Sequence, residues 1–306
     1  MTRDDDTTRN SRLCTRIGWK LHLPAAALLL VMHALVPGVL HAQSESNHLY
    51  DKFQVSASLA EVLVGPKVKA DGDASDGTDV NFVDRLGIDR DGLEPRFAVR
   101  WRPGRRHEIE AGYLFVNRSG ERRLTQDITV KDTTFTAGLN LNSIFDADNA
   151  FLAYRYAFKA KEKTQIGAQL GLGAIFFKFG IDARAGVASG NDTLSASYGV
   201  TQDFIGPTAA LGLYGRFRLG DRWYLEAKGG TIWASVENIT ATIFEGGVAG
   251  RYFVSEKIGF EAGYGVTAVK LTMDREGSGG IFDPSIKGSV KYSSQDFRLG
   301  VIAAFQ

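Results

Sequence analysis

The chain has 306 residues, with 36 Lys plus Arg against 35 Asp plus Glu. The first 42 residues hold five of those bases and three of those acids, so the remainder carries 31 against 32, without the basic excess of a nucleic-acid binder. The single cysteine, Cys14, falls in that leader, which excludes disulfides, thiolate metal sites and a cysteine nucleophile from the rest. The 35 Gly and 19 Phe beside three Met fit an all-β chain with many turns.

Arg12, Arg16 and Lys20 precede an apolar run from Leu23 to Leu40, and Leu40-His41-Ala42 offers a small residue at a cut before Gln43. A basic region, an apolar region and a small residue make a secretory signal peptide over 1–42, with a barrel domain over 43–306. An uncleaved anchor fits less well, because Pro24, His33 and Pro37 interrupt the run. A lipoprotein fits less well again, since Cys14 precedes the apolar region rather than following it.

After Gln43 the recurring signal is alternation with period two. It predicts strands near 52–64, 94–102, 106–128, 133–158, 165–180, 207–219, 222–235, 241–254, 257–273 and 286–305. Ile109, Ala111 and Tyr113 alternate with Glu108, Glu110 and Gly112. Leu211, Leu213 and Phe217 alternate with Tyr214, Arg216 and Arg218, and the last strand sets Phe297, Leu299, Val301 and Phe305 against Arg298 and Gly300. Four connections are short and polar, at 102–105, 159–163, 220–222 and 255–257. Between them lie polar stretches, mostly longer, at 65–93, 118–142, 181–206, 235–241 and 274–287. Short turns at one end of a sheet and long loops at the other are the asymmetry of outer-membrane barrels. The predicted fold is therefore an antiparallel transmembrane β-barrel of about ten strands, eight and twelve being the neighbouring even counts.

Trp101, Phe158, Phe217, Trp223, Tyr252, Phe260 and Phe305 all fall beside short turns or at the C-terminus, where a lipid-facing aromatic girdle belongs. A soluble sandwich also alternates, but its polar face meets water. Here that face is rich in Gly, Arg and Glu, and a closed barrel removes the edges an open sheet would expose.

The stretch Thr78–Asp89, TDVNFVDRLGID, and the stretch Pro95–Tyr113, PRFAVRWRPGRRHEIEAGY, resemble a group of proteobacterial outer-membrane β-barrel proteins. Arg118-Ser-Gly-Glu-Arg122 and Tyr154-Arg-Tyr-Ala-Phe158 are similar to the same group, which belongs with the small porin-like barrels related to the OmpA membrane domain and OmpW. The resemblance covers about residues 50–180. It implies a fold and an outer-membrane location but no reaction. It also implies outer-membrane lipid and lipopolysaccharide as surroundings, and assembly through the C-terminal strand. The usual terminal Phe is displaced here, since Phe305 is followed by Gln306.

Alternation puts Arg96, Arg100, Glu108, Glu110, Arg155, Arg216, Arg218, Glu226, Lys228, Glu245, Arg251, Glu261 and Arg298 on the lumen side. A barrel of ten strands is narrow enough for side chains to fill. Charges in so confined a space must pair. The reading adopted is a structural or surface-interaction barrel with a largely plugged lumen, and the alternative is a narrow pore whose charges filter small solutes. An enzyme is not expected: outer-membrane hydrolases use a His near the outer rim, and His48 and His107 both fall at the turn end. No P-loop, dinucleotide fingerprint or metal-ligand His pair is present, so no cofactor is expected. Asp71, Asp73 and Asp76 resemble the start of a calcium loop, but Asp76 stands where Gly is needed and Phe82 where the closing Glu should be.

A signal peptide followed only by period-two strands predicts a protein that stays with the outer-membrane fraction through a carbonate wash and migrates faster on gels unboiled than boiled. Recovery in the soluble periplasmic fraction would contradict the barrel.

Overall fold

A computed structural model describes residues 47–71, 76–130, 133–189, 192–236, 239–273 and 287–306. The predicted leader lies outside them. In chain order the elements are β1 (Phe53–Val64), β2 (Lys67–Asp71), β3 (Val80–Asn81), α1 (Phe82–Leu86), β4 (Leu93–Gly104), β5 (His107–Leu114), β6 (Asn117–Arg123), β7 (Ile128–Val130) and β8 (Thr133–Phe135). They continue as β9 (Asn140–Lys161), β10 (Thr164–Ser189), β11 (Asp192–Arg218), β12 (Trp223–Val236), β13 (Ile239–Phe253), β14 (Ile258–Met273) and β15 (Lys287–Phe305).

Ten of these strands form a ring in the order β1-β4-β5-β9-β10-β11-β12-β13-β14-β15. Antiparallel pairing of β15 with β1, from Phe53↔Phe305 to Val64↔Ser294, closes it. Closure matters because a sheet in lipid has no water to satisfy an open edge. Short turns at 105–106, 162–163, 219–222 and 254–257 gather at the end that also holds Phe53 and Phe305. The opposite, loop end carries three long connections, β1 to β4, β5 to β9 and β14 to β15. The stretch predicted at 235–241 shrinks because β12 and β13 pair as far as Val236↔Ile239, and β11 likewise starts at Asp192 just after β10 ends at Ser189.

The outer wall is apolar where it must meet lipid. Leu152, Leu170, Leu172, Leu211, Leu213 and Leu299 are all exposed on it. At the turn end Trp101, Phe158, Trp223, Phe260 and Phe305 are exposed as well, while Phe217 and Tyr252 are half-buried, with Tyr252 packed 4.8 Å from the Trp223 ring.

Other predicted boundaries change too. The polar stretch at 181–206 is not a loop: β10 and β11 pair without interruption from Thr164↔Phe217 to Ser189↔Asp192. Beyond the lipid the outward face of a ladder meets water, so polar composition does not end a strand there. Ile181 stays buried and Asp182 exposed. The strand predicted at 106–128 divides into β5 and β6, because the Asp148 carboxylate accepts the Val116 N–H at 2.9 Å and takes the chain off the β5 ladder. The strand predicted at 133–158 divides into β8 and β9, where Gly138 turns the chain at φ 95°.

At the loop end the interior is apolar. Phe82 packs edge-on against Phe145 at 5.7 Å and Phe179 at 6.0 Å, and Phe177 stacks on Phe204 at 5.2 Å. Phe82 and Leu86 come from α1 and are buried in this apolar layer. The Asn81 side chain caps this helix by accepting the Val83 and Asp84 N–H groups, and Gly87 ends it at φ 70°. A buried Arg118 clamps the loop to the wall, with one guanidinium nitrogen on the Glu94 carboxylate and another donating to the Val62 carbonyl at 2.7 Å.

Ring closure gives the first structural test. Phe53 and Phe305 meet at 6.1 Å across the closing pair. Phe305→Asp removes that contact and puts a carboxylate at the lipid boundary, a cost of about 1 kcal/mol. The fraction of protein in the heat-modifiable folded form should fall, and unchanged levels would mean that closure does not depend on this end.

Candidate functional site

The lumen at and above the turn end is filled by one polar network, and all ten barrel strands feed it. From β4, Arg100 donates to Gln54 of β1 at 3.1 Å and to Glu110 of β5 at 2.6 Å. Arg155 of β9, 0% exposed, donates to Glu110 at 2.8 Å and to Gln169 of β10 at 3.2 Å. On the other side Arg216 of β11 donates to Glu226 of β12 at 2.8 Å. Arg251 of β13 holds Glu226 at 3.1 Å and Glu261 of β14 at 2.7 Å, and Arg298 of β15 donates to Glu261 at 2.9 Å. Links between non-neighbouring strands bridge the lumen itself: Arg216 to Glu108 at 2.5 Å, Arg100 to Glu226 at 3.1 Å, Arg155 to Glu226 at 3.7 Å and Gln169 to Glu245 at 3.0 Å.

Register explains why these residues meet. Arg100↔Glu110, Arg216↔Glu226 and Arg251↔Glu261 stand directly opposite on neighbouring strands. Such pairs lie about 5 Å apart at Cβ, within reach of a guanidinium and a carboxylate. The sequence spacing across each short turn therefore aligns the charges, and the barrel brings the two arcs together.

Aromatic packing stiffens the network. The buried Tyr214 ring lies beneath both Arg155 and Arg216, at 5.6 and 5.4 Å from their guanidinium carbons. It reaches that place because Gly167 has no side chain. A Cβ there would meet the Tyr156 carbonyl oxygen at 2.1 Å and the Tyr214 ring at 2.7 Å.

Below the network the chain folds back as a stopper. His48 stacks on Phe253 at 3.6 Å and pairs with Asp51 at 2.9 Å, while Leu49 packs with Tyr224, Phe253 and Ile302. The Gln54 amide ties this segment to β1 by donating to Asp51 at 2.8 Å.

Nine of the residues predicted for the lumen thus sit in the network, and Glu245 joins it by accepting from the Gln169 amide at 3.0 Å. Three differ. Arg218 lies at the turn-end rim, paired with the exposed Asp221 and Glu162, because it is the last residue of β11 and the lumen ends there. Arg96 and Lys228 face the lumen without an ion pair among the described residues, each over the Phe151 ring. The alternation also placed Tyr214, Gln165 and Gln169 inward, but neutral side chains carry no pairing signal; Gln54, Arg102 and the His48–Asp51 pair were not singled out at all.

Asp71 of the acidic stretch is engaged by Lys69 at 2.9 Å and by the Gly77 N–H at 2.8 Å, Asp76 is exposed, and Asp73 lies outside the described residues. Among the described residues no group of His, Cys, Asp and Glu is arranged to hold a metal ion.

No protein-family model matches the chain, and no curated protein matches it. Solved structures do. The outer membrane protease OmpT from Escherichia coli is 12% identical, with 83% of this chain and 96% of that one covered and a TM-score of 0.52. The outer membrane protein AlkL, determined in lipid bilayers, is 13% identical over 88% and 96% of the two chains, with a TM-score of 0.37. Neisserial surface protein A is 12% identical over 83% and 97%, with a TM-score of 0.28. The likeness to OmpT shows a shared fold, that of an outer-membrane β-barrel.

Removing one partner of a buried ion pair leaves the other charge uncompensated, at a cost of about 3–5 kcal/mol. Arg155→Ala should therefore lower the denaturant midpoint of the barrel strongly. Arg218→Ala, at the rim, should change it by less than about 1 kcal/mol. Equal effects in a urea titration would show that Arg155 is not in the centre of the network.

Proposed function

We propose that this protein is an integral outer-membrane barrel with a plugged lumen, acting as a structural or surface-interaction element through its loop end and not as a conduit. We place it with the small barrels related to the OmpA membrane domain and OmpW. Outer-membrane lipid and lipopolysaccharide surround its wall, and the C-terminal strand engages the barrel-assembly machinery. One observation carries the reading: the Arg216–Glu108 and Arg100–Glu226 bridges span the lumen itself. Ion flow would have to break several charge-assisted hydrogen bonds at once. The stopper below and the aromatic layer above add two further barriers.

Chemistry at the outer rim has no support from the histidines. His48 is stacked inside the stopper, and His107 accepts or donates to Tyr154 at 2.7 Å beside a turn. What the loop end offers instead is surface. The β10–β11 hairpin extends to Ser189↔Asp192, and β6 and α1 are held together by Arg122 donating to the Asp84 carbonyl.

Conductance across a planar bilayer tests this reading. The wild-type protein should pass little or no current. Arg155→Ala with Arg216→Ala vacates lumen volume and leaves Glu108, Glu110 and Glu226 short of partners, so water should enter to solvate them. Current should then rise and favour cations. A large, stable wild-type conductance would refute the plug.

A further inference from the structure

Between the ion network and the aromatic layer lies a cavity of about 110 Å³, lined by charged residues of the network and by apolar residues of the layer above. Six lumenal guanidiniums, Arg100, Arg102, Arg155, Arg216, Arg251 and Arg298, each contact a carboxylate. The carboxylates that hold them are Glu108, Glu110, Glu226, Glu261 and Asp296, and Glu245, bound by Gln169, is a sixth. Six cations therefore stand against six anions. Arg96 and Lys228 are two cations in excess, and both line the cavity. Their contact is the Phe151 ring, 5.0 Å from the Arg96 guanidinium carbon and 5.7 Å from the Lys228 nitrogen. Two uncompensated cations in a confined lumen are costly, and a bound dianion would offset both.

We propose that this cavity binds a phosphate group between Arg96 and Lys228. The volume suffices: a water needs about 10–15 Å³ on this measure, so the space takes an oxyanion with a few waters to spare. Neutral hydrogen-bonding groups, Asn149, Thr208 and Thr267, line the same walls. Two carboxylates share the lining, Asp296 paired with Arg298 at 2.9 Å and Glu245 accepting from the Gln169 amide at 3.0 Å, and neither forms an ion pair with Arg96 or Lys228.

The wall beside the cavity is incompletely paired. Pairing of β11 with β12 stops at Leu211↔Thr231. Beyond it β11 pairs only with β10, and β12 only with β13, up to Val236↔Ile239. Pro207 lies in that stretch of β11, where a strand edge tolerates its missing N–H. Thr208, Ala209 and Ala210, the residues just past the last pair, line the cavity. The phosphate is then either a free ion or the headgroup of a lipid that reaches the cavity at this seam. The inference is independent of the plugged reading, since an anion site can line a closed lumen or a conducting one.

Thermal unfolding in neutral maltoside micelles tests the site, with inorganic phosphate titrated against chloride at matched ionic strength and, in a second arm, phosphatidic acid mixed into the micelles. A ligand that binds only the folded state raises its melting temperature saturably. The wild type should shift upward by several degrees, and Arg96→Gln with Lys228→Gln should not shift. A shift with inorganic phosphate identifies the free ion; a shift with phosphatidic acid alone identifies a headgroup entering through the seam. No shift in either arm, or an equal shift in the double variant, overturns the proposal. If the double variant does not fold, equilibrium dialysis of radiolabelled phosphate against the wild type decides for the free ion: displaceable binding of about one ion per chain supports the site. Absent retention together with no phosphatidic acid shift overturns it.

Discussion

Charge confined inside a narrow barrel is the constraint on which the rest of this structure depends. A sheet that crosses lipid must close, and closure at ten strands leaves a lumen that side chains can fill. Once Arg and Glu point inward they lie in a space too small to hydrate each fully, so each strand's charges must find partners on other strands. Pairing in turn specifies register. A slip of one residue in β11 would send Arg216 to the lipid and Phe217 into the lumen, losing the bonds to Glu108 and Glu226 together. Buried ion pairs are poor sources of net stability against an apolar filling, but they penalise the wrong arrangement heavily.

The interior has two characters because its ends are built from different parts of the chain. Toward the turn end the strands are tied by connections of a few residues, so cross-strand charge pairs are aligned by the local fold. Toward the loop end the filling comes from long connections that fold back inside. A loop segment leaves water only if what it brings is apolar or fully bonded. Accordingly α1 contributes Phe82 and Leu86, and the buried guanidinium of the clamp, Arg118, places both terminal nitrogens, on Glu94, Asn117 and Val62. The cavity with Arg96 and Lys228 lies where these two fillings meet, and among the described residues neither filling forms an ion pair with them.

Beyond the register shifts at Ile166–Gly167 and Trp101–Gly104, the barrel wall has one seam. Elsewhere each ring strand is held on both sides through the apolar belt, but β11 and β12 part above Leu211 and Thr231. Such a place is held through one ladder instead of two, with fewer backbone hydrogen bonds to break on opening. Its position beside the charged cavity ties the local weakness of the sheet to the chemistry of the lumen.

Alternation with period two was enough to read the ring of ten and the side its residues take, but not where β5, β6, β8, β9, β10 and β11 begin and end. These follow from one rule, that successive side chains point to opposite faces, and lipid and lumen demand opposite polarities. Hence Trp101, Trp223 and Phe260 were legible as outward and Arg155 and Glu226 as inward. Which charges touch was not legible. Arg216 reaches Glu108, 108 positions away, because closure brings distant strands across the lumen, and no local pattern records that distance. The same holds for the stopper of His48 against Phe253, for the aromatic layer and for the place where β11 and β12 separate. Local sequence sets the face a side chain takes; only the closed ring decides what lies opposite it, and so which of the charges are paired and which two are left over.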